Sequence, residues 1–142
     1  MPKLYQVAAI PIRRRATGAV EVLLVTSRET RRWVVPKGWP WRKVSDHEAA
    51  AGEAWEEAGV RGHTRRKRIG RFDYRKLRDG KSSMLRVHVY LLEVVEIART
   101  WPEAKERSRR WFSPARAAEL VAEPELKALL HDLQGLLSSQ DV

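Results

Sequence analysis

Between Pro36 and Val60 the chain reads PKGWPWRKVSDHEAAAGEAWEEAGV, a loop that runs into one short helix closed by a glycine. No other stretch restricts the fold as much. Ser45 followed by Glu48 forms a capping box with Ser45 as N-cap. Gly59 supplies the left-handed residue that ends a helix. Inside these bounds stand Glu53, Glu56 and Glu57 at i, i+3, i+4. At about 100° per residue they leave one face and cover roughly a third of the circumference. Ala51, Ala54, Trp55 and Ala58 fall opposite, a small apolar face suited to lying close on a sheet.

The acids sit badly for an isolated helix. They occupy its second half, where the dipole disfavours anions, and Glu53 and Glu57 repel each other at i, i+4. A Glu-rich helix face is most often simply solvated. Here a Gly-containing loop leads in and a Gly-Val stop follows directly, which points to a site. A divalent cation would offset the repulsion, and Mg²⁺ is the hard ion that suits carboxylate oxygens.

These residues carry a resemblance. The stretch resembles the signature box of the Nudix hydrolases, which runs Gly, five residues, Glu, seven residues, Arg-Glu-apolar-x-Glu-Glu-x-Gly-apolar. Gly38, Glu53, Ala54, Glu56, Glu57, Gly59 and Val60 match at the right spacing. Two positions depart: Val44 stands where the pattern has its first Glu, and Gly52 where it has Arg. In the family that Arg orients the neighbouring Glu, and the loop Glu ties loop to helix. Gly52 also costs about 1 kcal/mol of helix propensity relative to Ala.

The resemblance implies an α/β fold, an α/β/α sandwich with a mixed sheet. It also implies a Mg²⁺-dependent hydrolase, with Mn²⁺ as the alternative ion, that cleaves a pyrophosphate link. The expected metal ligands are Glu53, Glu56, Glu57 and the Gly38 carbonyl, with Glu53 or Glu57 nearest the role of base. A further acid often comes from a distant loop, and Glu103 and Glu106 are the candidates. The run Trp33 to Trp39, WVVPKGW, resembles the subgroup acting on diadenosine polyphosphates and diphosphoinositol polyphosphates. Lys37 is the expected phosphate contact, as a point charge. Arg109, with Arg110, and the basic segment Arg61 to Lys81 suit a highly charged substrate. Trp39, Trp41 and Tyr74 are aromatics for stacking on a base or for packing. The missing Arg and Glu also keep open a catalytically weak or silent Nudix-fold module that binds nucleotide or RNA.

The whole chain, residues 1–142, reads as one domain, long enough to bury a core, and 43% of it is apolar. The net charge of +10 favours polyanionic partners, although much of it is Arg, which a GC-rich coding sequence would also produce. There is no cysteine, which removes thiolate and disulfide chemistry and fits a reducing cytoplasm. No apolar run nears the ~20 residues that span a bilayer. The oligomeric state is not legible.

Along the chain, Tyr5 to Ile12, Val20 to Thr26 and Trp33 to Val35 read as strands. Arg61 to Lys81 holds ten Lys or Arg against two Asp, with Ile69, Phe72, Tyr74 and Leu77 as apolar points. Asp79-Gly80 is a two-residue hairpin turn, and Met84 to Val95 is the returning strand. Within it His88 has no assigned role. Arg99 to Arg110 is a charged loop and Trp111-Phe112 a short edge. Ser113-Pro114 opens a helix to about Val121. A second helix from Glu123-Pro124 carries Leu126, Leu129, Leu130, Leu133, Leu136 and Leu137, and fraying is expected from about Ser138.

Overall fold

A computed structural model describes residues 4–140. Its centre is a parallel pair, β1 (Tyr5–Arg14) beside β7 (Lys81–Ile97), registered from Tyr5↔Arg86 to Ile12↔Glu93. Every other pairing is antiparallel. β2 (Val20–Thr26) joins the far side of β1 and carries both β3 (Trp33–Val34) and β8 (Arg109–Phe112). β4 (Lys37–Gly38) pairs β1 at Ala8 and Val7. β5 (Val60–Thr64) and β6 (Gly70–Arg78) both pair β7. The sheet is therefore mixed, as expected.

Both of its faces are covered, so its central strands carry apolar residues on both sides through their middle stretches. On β1, Ala8, Ile10 and Ile12 point to one core while Val7 and Ala9 point to the other. β2 and β7 alternate in the same way, Val22 and Leu24 against Leu23 and Val25, Val87 and Val89 against Tyr90 and Leu92. α1 (Asp46–Ala58) lies on one face through Ala49, Ala50, Ala54 and Ala58. α2 (Pro114–Leu120), α3 (Pro124–His131) and α4 (Leu133–Gln140) cover the other with Ala117, Ala118, Leu126, Leu130, Leu133 and Leu137. This is the expected α/β/α sandwich.

Several expectations are corrected. β1 runs on through Pro11 to Arg14. Pro11 falls between Ala8, the last residue to pair β4, and Ile12, the first to pair β2, so its missing N–H deprives neither partner. The basic segment opens with a strand of its own, β5. There Gly62 sits at a register shift, and a Cβ would stand 1.8 Å from the Glu93 carbonyl oxygen. Leu77 is 75% exposed and contributes nothing to the core. The leucine-rich helix is two helices broken at Asp132, whose N–H still bonds the Ala128 carbonyl; the leucine stripe continues across the break and α4 runs to Gln140.

The Asp79-Gly80 turn forms as expected, with φ of 51° and 74° and Arg78 opposite Lys81. Positive φ at both central positions is the signature of the tight hairpin turn that matches strand twist. Among the described residues no helix is long and apolar enough to cross a membrane.

Candidate active site

Ser45 is the N-cap of α1, but the capping box is incomplete. Ser45 Oγ meets Glu48 Oε1 at 2.7 Å and makes no cap bond to the backbone. The helix end is better built. Gly59 takes φ +66°, and its N–H bonds the Trp55 carbonyl at 3.0 Å. The remaining carbonyls of the last turn are met by the segment that leads into β8. Glu103 N–H donates to Glu56 O at 3.0 Å, Trp101 Nε1–H to Glu57 O at 3.0 Å, and Arg109 Nη1 to Ala58 O at 2.8 Å. The charged loop therefore wraps the helix terminus and satisfies carbonyls that a helix leaves open.

That wrapping also fixes the acids. The buried face of α1 is Ala49, Ala50, Ala54, Glu57 and Ala58, so Glu57 is the most deeply set of the three acids; it stays beside Glu53, while Glu56 lies off the cavity wall. Trp55 is half-buried under the Arg61 guanidinium, 3.7 Å from the ring. Glu53 and Glu57 line a cavity of about 430 Å³ together with Gly38, Trp41, Glu103 and Arg107. A second cavity of about 430 Å³ adjoins it and shares Gln6, Arg28, Lys37, Glu57, Lys76 and Arg107; Arg32 and Tyr74 are among the residues that line only the second. The first is the more acidic lobe, with Glu53, Glu57 and Glu103 beside the shared cations; the second adds Arg32 and Arg75 and is the more basic.

The acidic lobe is held by specific contacts. Trp41 Nε1–H donates to Glu53 Oε2 at 2.9 Å. The Lys37 backbone N–H reaches Glu57 Oε1 at 3.4 Å. Arg107 places Nη2 3.7 Å from Glu57 Oε2 and Nε 2.7 Å from Glu103 Oε1, while Nη1 donates to the Thr26 carbonyl at 3.0 Å. Burial raises the Glu57 carboxyl to about 8, with the Glu53 charge adding to the rise and Arg107 opposing it. Burial also raises Glu53, against the hydrogen bond from Trp41. Both shifts follow from taking a carboxylate out of water near like charge.

The structure gathers Lys37, Gly38, Glu53, Glu57 and Glu103 and leaves others out. Glu56 does not line the cavity; its charge still acts on Glu53. Glu106 pairs loosely with Arg28 at 3.9 Å, and each side chain is more than half exposed. Arg109 is not in the cavity: its fork binds the Ala58, Gly59 and Ala98 carbonyls and its plane lies 3.9 Å from the Trp101 ring. Burial holds its guanidinium below the usual range. Arg110 sits 5.8 Å from the Phe112 ring. Lys37 Nζ lies 4.8 Å over Tyr74, whose hydroxyl donates to Gln6 Oε1 at 2.7 Å. Lys76 covers Trp39 at 5.4 Å. His88 stacks on Tyr5 at 4.5 Å.

Arg107, Arg32 and Gln6 were not legible as site residues. Arg107 is one of several arginines in RSRR, and only the turn of the loop over α1 singles it out.

Among the described residues, no three acids or histidines are arranged to hold an ion as they stand. The donor chemistry nevertheless fits a hard divalent cation: Glu53, Glu57 and Glu103 bring carboxylate oxygens from two chain segments to one wall beside Gly38. Gly38 belongs to that fit, because a Cβ there would lie 2.4 Å from the Glu53 carboxyl carbon. An ion bound at Glu57 competes with Arg107 for the same carboxylate.

A mixed sheet between helical layers, with a glutamate helix facing a basic cavity, is an arrangement of the Nudix type. The chain belongs to the Nudix hydrolase family: the NUDIX domain matches residues 3–133. It is 36% identical over 105 residues to Nudix hydrolase 12, mitochondrial, of Arabidopsis thaliana, covering 71% of this chain and 52% of that one. It is 38% identical over 104 residues to the diphosphoinositol polyphosphate phosphohydrolase 3-beta of Bos taurus, covering 71% and 60%. The chain thus spans little more than half the length of these curated relatives. Among solved structures, the C. elegans Ap4A hydrolase binary complex superposes with a TM-score of 0.65 at 18% identity, over 96% of this chain and 99% of that one. The NUDIX domain of Shewanella oneidensis NrtR, complexed with ADP ribose, superposes with a TM-score of 0.70 at 14% identity, over 96% and 90%. At these identities the superpositions speak for the fold.

Proposed function

We propose that residues 1–142 act as one domain, a Mg²⁺-dependent pyrophosphohydrolase acting on a highly phosphorylated small molecule. The substrate is a nucleoside or dinucleoside polyphosphate or a diphosphoinositol polyphosphate. The observation that carries this reading is the junction of the two lobes. Carboxylates of Glu53, Glu57 and Glu103 line one lobe, Arg32 lines the other, and Lys37, Lys76, Arg28, Glu57 and Arg107 stand where the two meet. A phosphoanhydride lying across that boundary has cations for its charge and carboxylates at the reacting end.

Glu53, Glu57 and Glu103 would hold the metal, with the Gly38 carbonyl beside them. Bound there, Mg²⁺ supplies charge neutralisation and a lowered pKa for water. Glu57 is the better placed base. Its carboxylate is held between the Lys37 N–H and Arg107, and both cations draw its pKa down against the burial that raises it. A base tuned toward neutrality takes a proton from water most effectively. Lys37 and Lys76 bind phosphate oxygens, and Tyr74 supports Lys37 from beneath. Glu56, outside the cavity wall, adds its charge to the acid cluster from behind.

The test is product release from a panel of diadenosine polyphosphates, nucleoside polyphosphates and inositol pyrophosphates, with Mg²⁺ and with chelator. Wild type should turn over at least one of these only with the ion, and Glu57→Gln should lose about 10²- to 10⁴-fold. Equal rates for the two proteins would overturn this mechanism, and binding without turnover across the panel would make this a silent binding module.

A further inference from the structure

Gly52 has no evident reason to interrupt a helix until Trp41 is considered. The Trp41 indole lies across α1 at that position. A Cβ on residue 52 would come within 2.4 Å of Trp41 Cη2 and 2.6 Å of Cζ2. Real Cβ atoms do not approach carbon that closely, so the ring reaches the helix only because residue 52 has no side chain. From this seat the ring directs Nε1–H to Glu53 Oε2 at 2.9 Å.

Burial does not explain the contact. Trp41 is 40% exposed, a large apolar side chain left partly in water. Nor is Glu53 held from one side alone. A Cβ on Gly38 would fall 2.4 Å from the Glu53 carboxyl carbon and 2.5 Å and 2.6 Å from its two oxygens. The carboxylate is therefore clasped between the Gly38 backbone and the Trp41 indole, at the wall of the acidic lobe. Two glycines on different segments make room for the same carboxylate and its donor.

We propose that Trp41 and Gly52 form a positioning device for Glu53, which takes over the orienting task that the box pattern assigns to an arginine at position 52. The indole N–H fixes the rotamer through Oε2. Unlike a guanidinium it is neutral, so it orients the carboxylate without cancelling the charge a cation needs. Trp41 touches neither substrate nor metal in this scheme; it acts through Glu53. The inference rests on the Mg²⁺-dependent reading above.

Mn²⁺, followed by its electron paramagnetic resonance signal, is the probe. Trp41→Phe keeps the ring and removes the donor. Gly52→Ala displaces the ring while improving helix propensity. Both should bind Mn²⁺ about tenfold more weakly than wild type, the usual effect of losing a partner behind a metal ligand, with melting temperatures unchanged or, for Gly52→Ala, raised. The double variant Trp41→Ala/Gly52→Arg, which returns a charged donor, should recover most of the affinity. Wild-type affinity in both single variants would overturn the positioning role while leaving the hydrolase reading intact. Failure of the wild type itself to bind Mn²⁺ would overturn both.

Discussion

Arg107 Nη2 faces Glu57 Oε2 at 3.7 Å, and the two side chains are only 8% and 9% exposed. The same guanidinium bonds Glu103 and the Thr26 carbonyl, so it joins β2, α1 and the loop before β8 at one point. A buried pair of this kind is weak evidence for net stability, but removing one partner leaves an uncompensated charge. Above about pH 8, where Glu57 is ionised, Arg107→Met should therefore destabilise the metal-free protein by about 3 kcal/mol. Mg²⁺ should raise the variant's melting temperature more than the wild type's, because the ion then replaces a missing cation. Thermal melts with chelator and with Mg²⁺ measure this; equal Mg²⁺ shifts in both proteins would count against Arg107 as the internal counter-ion.

Glu57 gives the protein a pH dependence of definite sign. Its folded carboxyl is raised to about 8 from an ordinary value of 4.5, chiefly by burial. The folded state thus keeps a proton that the unfolded state has released. The stability this contributes is present in full below about 4.5 and is lost as pH rises through about 8. Without metal, urea unfolding should show stability falling across that window, by on the order of a few kcal/mol at most. Glu57→Gln cannot ionise there and should flatten the fall. Parallel profiles for the two proteins would contradict it.

The central sheet was legible because period and burial agree. Val22 to Val25 is an unbroken apolar run because both of its faces are covered. β5 was not legible, because Arg61 and His63 point outward and Gly62 removes the one inward side chain that would have shown alternation. In the site, Gly38, Glu53 and Glu57 were legible through the resemblance of the stretch to the Nudix box, which covers one helix and its leading loop. Arg107, Arg32 and Gln6 come from elements distant in sequence, and only the sheet order makes them neighbours. A helix wheel puts Glu53, Glu56 and Glu57 on one face but does not say where the sheet and the wrapping loop cut that face, which buries Glu57 and leaves Glu56 off the cavity wall.

Arg109 separates a structural from a functional arginine. Its fork closes α1 onto the Ala98 carbonyl and lies on Trp101, and a Cβ at Gly59 would strike both Trp101 and Arg109 Nη1. Arg109→Ala leaves buried carbonyls at a helix end without a donor, which costs about 1–3 kcal/mol for each group left unsatisfied. A loss of about 2–4 kcal/mol is expected in denaturant unfolding, with KM for the best substrate unchanged at temperatures where the variant stays folded. A raised KM at full stability would instead make it a substrate contact.

Lys37 is the arginine's opposite case. Its backbone belongs to β4 and bonds Glu57, while Nζ stands over Tyr74 where the two lobes meet. Burial pulls its ammonium below the usual range, and the Glu57 charge pulls it back up. A cation already stripped of part of its water gains more from a phosphate than an exposed lysine does. Lys37→Met removes that charge with little change in shape and leaves the backbone bond to Glu57 in place. KM should rise about tenfold, the equivalent of about 1.4 kcal/mol of binding, while kcat changes much less. The salt dependence of kcat/KM should also weaken, since a steering charge is gone. Lys37→Arg should not fully restore KM, because a planar fork cannot sit over the Tyr74 ring and present a point charge to the same phosphate. An unchanged KM in Lys37→Met, with the salt dependence intact, would move phosphate recognition to Arg32 and Lys76.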